Sequence, residues 1–317
     1  MSLYFQTNSL LATIQDLGRN GFRSLGINPN GAMDKTAVRL INILLGNNEN
    51  EAVLEIHFPT PKILFKENAL VALGGADFGA KIDEVSIENW QTVWVEKGQA
   101  LQFTQKNSGN RLYLSVKGGF KINEWLGSKS TNLKAKLGGF EGRNLQKDDE
   151  IEFKVKNQKP TLKKYPKISQ YSFHYSTNSK IRILEGFEFG LLTPLSSENF
   201  LRQKFTITQN SDRMGFRLES EPLYLMQEKE LVSSAVDFGT IQLLPNGQLI
   251  VLMADHQTTG GYPRIGNVIS VDLPFLAQKG VNETIGFEII SLEEVENLAL
   301  KFERDLNFLK TAIKFQF

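Results

Sequence analysis

The chain has 317 residues, 41% hydrophobic and 22% charged, with a formal net charge of +1. That length suits two domains with real cores, and the near-neutral balance argues against a general polyanion binder, which carries a clear basic excess. There is no cysteine, which excludes disulfides, thiol catalysis and cysteine-ligated metals.

The three histidines, His57, His174 and His256, share no metal-ligand spacing, so no metal site is expected. Residues 1–16 lack the basic start and apolar run of a signal peptide. The longest apolar run, Leu249–Ala254, is too short to cross a bilayer. The expectation is a cytoplasmic chain with neither membrane nor nucleic acid as partner.

In chain order, the first clear element is a helix. Asp34 is a good N-cap, Val38, Ile41, Leu44 and Leu45 fall on one face, and Gly46 suits the end. Short strands follow at Val71-Ala-Leu, Val93-Trp-Val, Leu112-Tyr-Leu-Ser-Val and Ile151-Glu-Phe-Lys-Val. Residues 154–180 are polar and lysine-rich, carry Pro160 and Pro166, and read as a linker. Strand signals resume at Ile181-Arg-Ile-Leu and Leu249-Ile-Val-Leu-Met, the latter after the hairpin-type dipeptide Asn246-Gly247. The last element is an amphipathic helix from Ser291, which forms a capping-box pattern with Glu294. Its apolar stripe runs through Val295, Leu298, Phe302, Leu306, Leu309 and Ile313. Many short strands separated by turns read as barrels or sandwiches. The fold class expected is mainly β with a few helices, divided into residues 1–157 and residues 158–317.

Four segments concentrate site-type chemistry. Ala254 through Arg264 ends an apolar strand in Asp255, His256, Gln257, Thr258, Thr259, Gly260, Gly261 and Tyr262. Glycine lets backbone N–H groups approach a ligand closely, and Gln257 both donates to and accepts from an amide. The same groups equally suit a local Asx-type turn. Asp16 and Arg19 suit a polar ligand or an ion pair fixing a turn. Gly127-Ser128-Lys129-Ser130-Thr131, with Arg143 close behind, suits a phosphate or carboxylate, or a solvated loop. It is not a P-loop, because Ser128 stands where Walker A needs glycine. Arg213 and Arg217 beside Asp212 suit bidentate anion binding or a structural ion-pair network.

Taken together, these segments resemble one family. Thr13-Ile-Gln-Asp-Leu-Gly-Arg, Gly31-Ala-Met-Asp, Gly74-Gly-Ala-Asp-Phe, Gly127-Ser-Lys-Ser-Thr, Leu137-Gly-Gly-Phe and Ser211-Asp-Arg-Met-Gly occur in order. Asp255–Pro263 and Asp272–Gln278 complete the series. The set is similar to the C subunit of bacterial ATP-dependent 5-oxoprolinase, also called allophanate hydrolase subunit 2, and to half of the carboxyltransferase domain of urea carboxylase. Lys129, where arginine is common, and Lys279-Gly-Val-Asn after Ala-Gln depart from that pattern.

The resemblance implies two cyclophilin-like β-barrel domains. It also implies a hydrolase that opens a cyclic amide, 5-oxoproline, to glutamate, active only with a B-subunit-like protein and a third subunit. ATP, with Mg, would be shared with those partners, and no biotin is attached to this chain. The catalytic candidates are then Asp255, Gln257 and Thr258. The substrate- or phosphate-binding candidates are Asp16, Arg19, Asp77, Ser128, Lys129, Ser130, Arg143, Arg213, His256, Thr259 and Tyr262. Two alternatives follow from the same resemblance: a subunit of allophanate or urea carboxyltransferase type, and a regulatory protein binding a kinase-inhibitor-like partner.

Overall fold

The structure is a computed structural model that describes residues 1–160, 165–168, 180–227 and 231–314. His174 and most of the expected linker lie outside the described residues. The chain divides into two compact units. One comprises Met1–Arg19, Asn30–Tyr175 and Arg304–Phe317; the other comprises Asn20–Pro29 and Ser176–Glu303. The division is therefore not linear in sequence.

The first unit carries β1 (Ser2–Phe5), β2 (Ala12–Gln15), β3 (Val53–Ile56), β4 (Ile63–Phe65), β5 (Ala69–Asp77) and β6 (Ala80–Ile82). It continues with β7 (Val85–Ser86), β8 (Thr92–Val95), β9 (Ala100–Phe103), β10 (Ser108–Val116) and β11 (Glu150–Glu152). They form a six-stranded sheet in the order β11-β1-β4-β9-β6-β7 and a five-stranded sheet in the order β2-β3-β10-β5-β8. Period-two alternation sends Val71 and Leu73 of β5, and Leu112, Leu114 and Val116 of β10, into one core. Leu3, Phe5, Phe65, Leu101 and Ile151 of the other sheet complete that core.

Helix α1 (Lys35–Leu44) covers the opposite face of the five-stranded sheet. The Asp34 carboxylate accepts the Ala37 N–H at 2.8 Å, as its N-cap position requires. Gly74 allows the close fit, since a Cβ there would stand 2.6 Å from Ile41 and 2.7 Å from Trp90. Buried on both faces, β5 reads as a continuous apolar run.

The second unit holds β12 (Lys180–Glu185), β13 (Phe205–Ile207), β14 (Gly215–Glu219), β15 (Ser234–Ala235) and β16 (Thr240–Leu243). It also holds β17 (Leu249–Leu252), β18 (Thr259–Gly260), β19 (Arg264–Val268) and β20 (Thr284–Ile289). Seven strands close a barrel in the order β12-β19-β16-β17-β14-β13-β20, sealed by the parallel pair β12–β20. Closure removes the exposed edges of an open sheet. Strands β15 and β18 form a separate two-stranded ribbon.

Helix α2 (Pro194–Arg202) delivers Phe200, which stacks on Phe287 at 5.0 Å and lies 5.9 Å from Phe205. Asp272 precedes the short helix α3 (Leu273–Ala277). Fully buried, it takes Arg182 in two hydrogen bonds of 3.0 and 2.5 Å. The mainly β class expected from sequence is thus what the structure has, with a closed barrel in the second unit.

Helix α4 (Leu292–Lys314) begins as its capping box requires, with Ser291 and Glu294 bonded reciprocally. Its predicted apolar stripe is the covered side: Leu306 and Ile313 are buried and Val295, Leu298 and Phe302 half-buried. Among the described residues no helix is long and apolar enough to cross a membrane.

Candidate functional site

The residues singled out in the sequence fall into two groups, one in each unit. In the first unit Asp16 directly follows β2 and is almost fully buried. Its Oδ1 accepts from Ser128 Oγ at 2.7 Å, Ser130 Oγ at 2.5 Å and the Gly18 N–H at 2.8 Å. Its Oδ2 accepts the Lys129 N–H at 2.6 Å. The four donors satisfy the buried charge, as a carboxylate out of water requires.

Arg19 lies beside this knot. It donates to the Ser130 carbonyl at 2.7 Å and to Asn30, and its guanidinium stacks 4.4 Å from the Trp125 ring centroid. Gly138 and Gly139 explain their own motif: both have positive φ. A Cβ would fall 2.3 Å from the Ser130 carbonyl at the first and 1.8 Å from Thr131 Oγ1 at the second.

The cations of this unit are paired. Lys129 reaches Glu51 at 3.1 Å and Glu124 at 3.7 Å. Burial works against its charge, but hydrogen bonding with Lys154 and then Glu51, with the charges of Glu51 and Glu124, holds its pKa above the ordinary lysine value. Arg143 bonds Asp149 at 2.6 and 2.8 Å and Glu141 at 2.9 Å. The Asp149 hydrogen bond, with Glu141 beside it, raises the Arg143 pKa. Asp77 caps its own turn, accepting from Gly79 N–H at 2.9 Å and Asn107 at 3.1 Å. A buried group not singled out from sequence anchors Gly31-Ala-Met-Asp. Tyr113 donates to Glu55 at 2.7 Å and accepts the Asp34 N–H at 2.8 Å. Burial first, then the charges of Glu55 and Asp34, push the Tyr113 phenol far up.

In the second unit two segments read separately come together. Arg213 grips Asp255 through Nε to Oδ2 at 2.9 Å and Nη2 to Oδ1 at 3.0 Å. The Asp255 N–H also donates to the Arg213 carbonyl at 2.7 Å. At the far end of the same loop, Arg264 grips Glu188 at 2.9 and 2.7 Å. The loop from 255 to 264 is therefore stapled at both ends by planar arginine–carboxylate pairs. Between the staples Gln257, Thr259 and Tyr262 are exposed and Thr258 is half-buried. His256 is buried, with Nδ1 2.6 Å from the Gln257 carbonyl and Nε2 3.8 Å from Asp237. Residues 20–29 join this unit: Asn28 donates to the Asp255 carbonyl at 3.0 Å, and Arg23 reaches Asp237 at 3.3 Å. Among the described residues, no group of three or more His, Asp or Glu is placed to hold a metal ion.

Sequence reasoning did not single out Glu188, Asn28, Asp237 or Gln242. Glu188 stands 76 positions from Arg264, so local pattern holds no sign of their pairing. Gln242 had one sign, a polar residue inside the apolar strand Thr240-Ile-Gln-Leu.

Comparison with known proteins gives a consistent picture. Residues 25–289 match the family described as "Carboxyltransferase domain, subdomain A and B". The 5-oxoprolinase C subunit of Haemophilus influenzae is 39% identical over 303 residues, covering 95% of this chain and 96% of that protein. The 5-oxoprolinase C subunit of Escherichia coli is 36% identical over 296 residues, covering 93% and 92%. Among solved structures, the K. lactis urea amidolyase superposes with a TM-score of 0.89 at 25% identity. That match covers 97% of this chain but 20% of the longer one.

Proposed function

The chain belongs to the family of carboxyltransferase domains with subdomains A and B, and from that premise we propose that it is the C subunit of a 5-oxoprolinase. The observation that carries this reading is the identity of 39% and 36% to two proteins of that name, over nearly the full length of each. The reaction we assign to the assembly is the ATP-dependent opening of 5-oxoproline to glutamate in the cytoplasm. Two waters are consumed. One gives its oxygen to the lactam carbonyl carbon as the C–N bond breaks and the ring nitrogen, still bonded to Cα, takes up a proton to become the amino group. The other is taken up as ATP is hydrolysed to ADP and phosphate. The partners are a B-subunit-like protein and a third subunit.

ATP supplies the driving force for this opening when bound. The residues of this chain do not fit a nucleotide site by themselves. Ser128 and Ser130 donate their hydroxyls to Asp16, and Lys129 and Arg143 are engaged by acids. Those engagements support placing the nucleotide, with Mg, chiefly on the partner subunits. In this reading no biotin is attached to this chain.

The substrate contacts belong, in this reading, to the stapled loop. Gln257, Thr258, Thr259 and Tyr262 offer donors and acceptors suited to an amide and a carboxylate. Asp255 and Arg213 hold that loop in place, and His256 packs beneath it. The experiment is co-purification of the chain with its partner subunits, followed by an assay for ATP hydrolysis that depends on 5-oxoproline. Dependence on the lactam is the expected result. A complex that instead carboxylates urea to allophanate, with a biotin carrier present, would move the assignment to the carboxyltransferase reading.

A further inference from the structure

Strand β16 alternates, so Ile241 and Gln242 point to opposite faces. Ile241 meets Ile183 around Gly266. Gln242 instead lies beneath the β15–β18 ribbon, against Val236 and Gly260. It is 1% exposed, and neither its amide oxygen nor its amide nitrogen has a hydrogen-bond partner among the described residues. A buried amide left without partners is costly, and native structures rarely keep one without a use. Gly260 belongs to the stapled loop, and a Cβ there would fall 2.5 Å from Gln242 Nε2. Glycine at this position leaves room for the loop to close over this carboxamide.

The cover is lightly held. Between its arginine staples the centre of the loop is tied down by two ladder pairs, Ser234–Gly260 and Ala235–Thr259, and by the Val236 N–H to Thr258 carbonyl bond at 3.3 Å, with the His256 N–H to Met253 carbonyl bond at 3.0 Å and the Leu243 N–H to Pro263 carbonyl bond at 2.9 Å nearer its ends. Gln257, Thr259 and Tyr262 face solvent, while Thr258 is half-buried and Gly260 buried. Fixed ends and a weakly tied centre are the mechanical elements of a strap that lifts and closes.

We propose that Gln242 reads the substrate amide once this strap lifts. A primary carboxamide presents a carbonyl acceptor and an N–H donor on one edge. A five-membered lactam is locked cis, so its own carbonyl and N–H also share one edge, and the two pair through two hydrogen bonds. A trans peptide group places these atoms on opposite sides and makes one at most. Urea offers the same edge as the lactam, so the chemistry selected is a cis or primary amide. This inference rests on the proposed function and deepens it, naming the group that recognises the ring.

The test uses the full chain in complex with its partner subunits. Gln242→Met removes both polar atoms at similar volume, and Gln242→Leu is its companion. Three quantities are read: KM for 5-oxoproline, the preference for 5-oxoproline over its lactone analogue, in which oxygen replaces the ring N–H, and the thermal midpoint. The expected result is a KM raised at least about tenfold, a preference for the lactam that collapses, and a midpoint unchanged or raised. Unchanged KM and preference with active wild type overturn the inference and leave the function standing. A midpoint lowered in both variants marks the amide as structural and also overturns it. Equilibrium dialysis of the same complexes against labelled 5-oxoproline and labelled urea separates the two readings. Urea bound in place of 5-oxoproline, and lost in Gln242→Met, retires the function and leaves the inference standing. Binding of neither by the wild type retires both.

Discussion

Asp255 and Arg213 illustrate how a buried charge pair constrains what each member can do. With side chains 13% and 7% exposed and two hydrogen bonds between them, neither is readily replaced. Asp255→Asn or Arg213→Gln is expected to cost about 3 kcal/mol of stability, because each strands a buried partner. The double variant should lose less than the sum of the two, which thermal and denaturant melts of all four proteins would reveal. Turnover of Asp255→Asn should then fall in step with the folded fraction. A loss of about a hundredfold in kcat/KM at an unchanged midpoint would instead assign Asp255 to acid–base work. Asp16 invites a parallel experiment in the first unit. Asp16→Asn turns an amide N–H₂ toward donors that need an acceptor, and the expected loss is about 2 kcal/mol, read by chemical denaturation.

At the scale of elements, α4 separates covered from exposed apolar residues. Leu306→Ala should cost about 2–4 kcal/mol through the cavity it leaves. Phe308→Ser, at a position 70% exposed, should stay within about 0.5 kcal/mol. The helix also carries a pH-sensitive tie. Burial pushes Glu49 up, but hydrogen bonds from Lys310 and Arg39 outweigh it and hold the carboxyl below its ordinary value. A depressed folded value means that this tie stabilises above the unfolded glutamate range, and that the gain disappears as the pH falls through the folded value. In Lys310→Met the folded value moves back toward the ordinary glutamate value, so stability at neutral pH should fall and its loss toward acid pH should shrink, and acid titration of the unfolding midpoint would show it.

Elements of this kind were legible because their signals are local. Asp34 before α1 and Ser291 with Glu294 before α4 satisfy backbone groups within a turn, so the spacing alone announces them. The stapled loop was legible as a segment for the same reason. Its partners were not: Arg213 and Asp255 are 42 positions apart, and which arginine meets which acid is decided by the closure of the barrel. Gln242 needed more still, because its isolation depends on a glycine in another strand. Ser128 and Ser130 looked like anion binders, and only the fold turns their hydroxyls onto Asp16.

For the molecule as a whole, the functional assignment makes this chain one component of a catalyst. The purified chain alone is expected to show no measurable 5-oxoproline turnover, and activity should emerge on addition of the partner subunits. Steady-state assays at varied subunit ratios would check this, and robust turnover by the single chain would contradict it.

The interleaving of the two units also bears on how the protein is made. Residues 304–317 belong to the first unit, yet they follow the entire second unit in the sequence. On a translating ribosome, N-terminal domains usually fold as they emerge. Here the first unit emerges early but lacks the Leu306 and Ile313 side chains until the second has been synthesised. A nascent chain stalled before residue 304 should therefore carry an incomplete first unit, open to protease, beside a second unit whose barrel strands have all been translated.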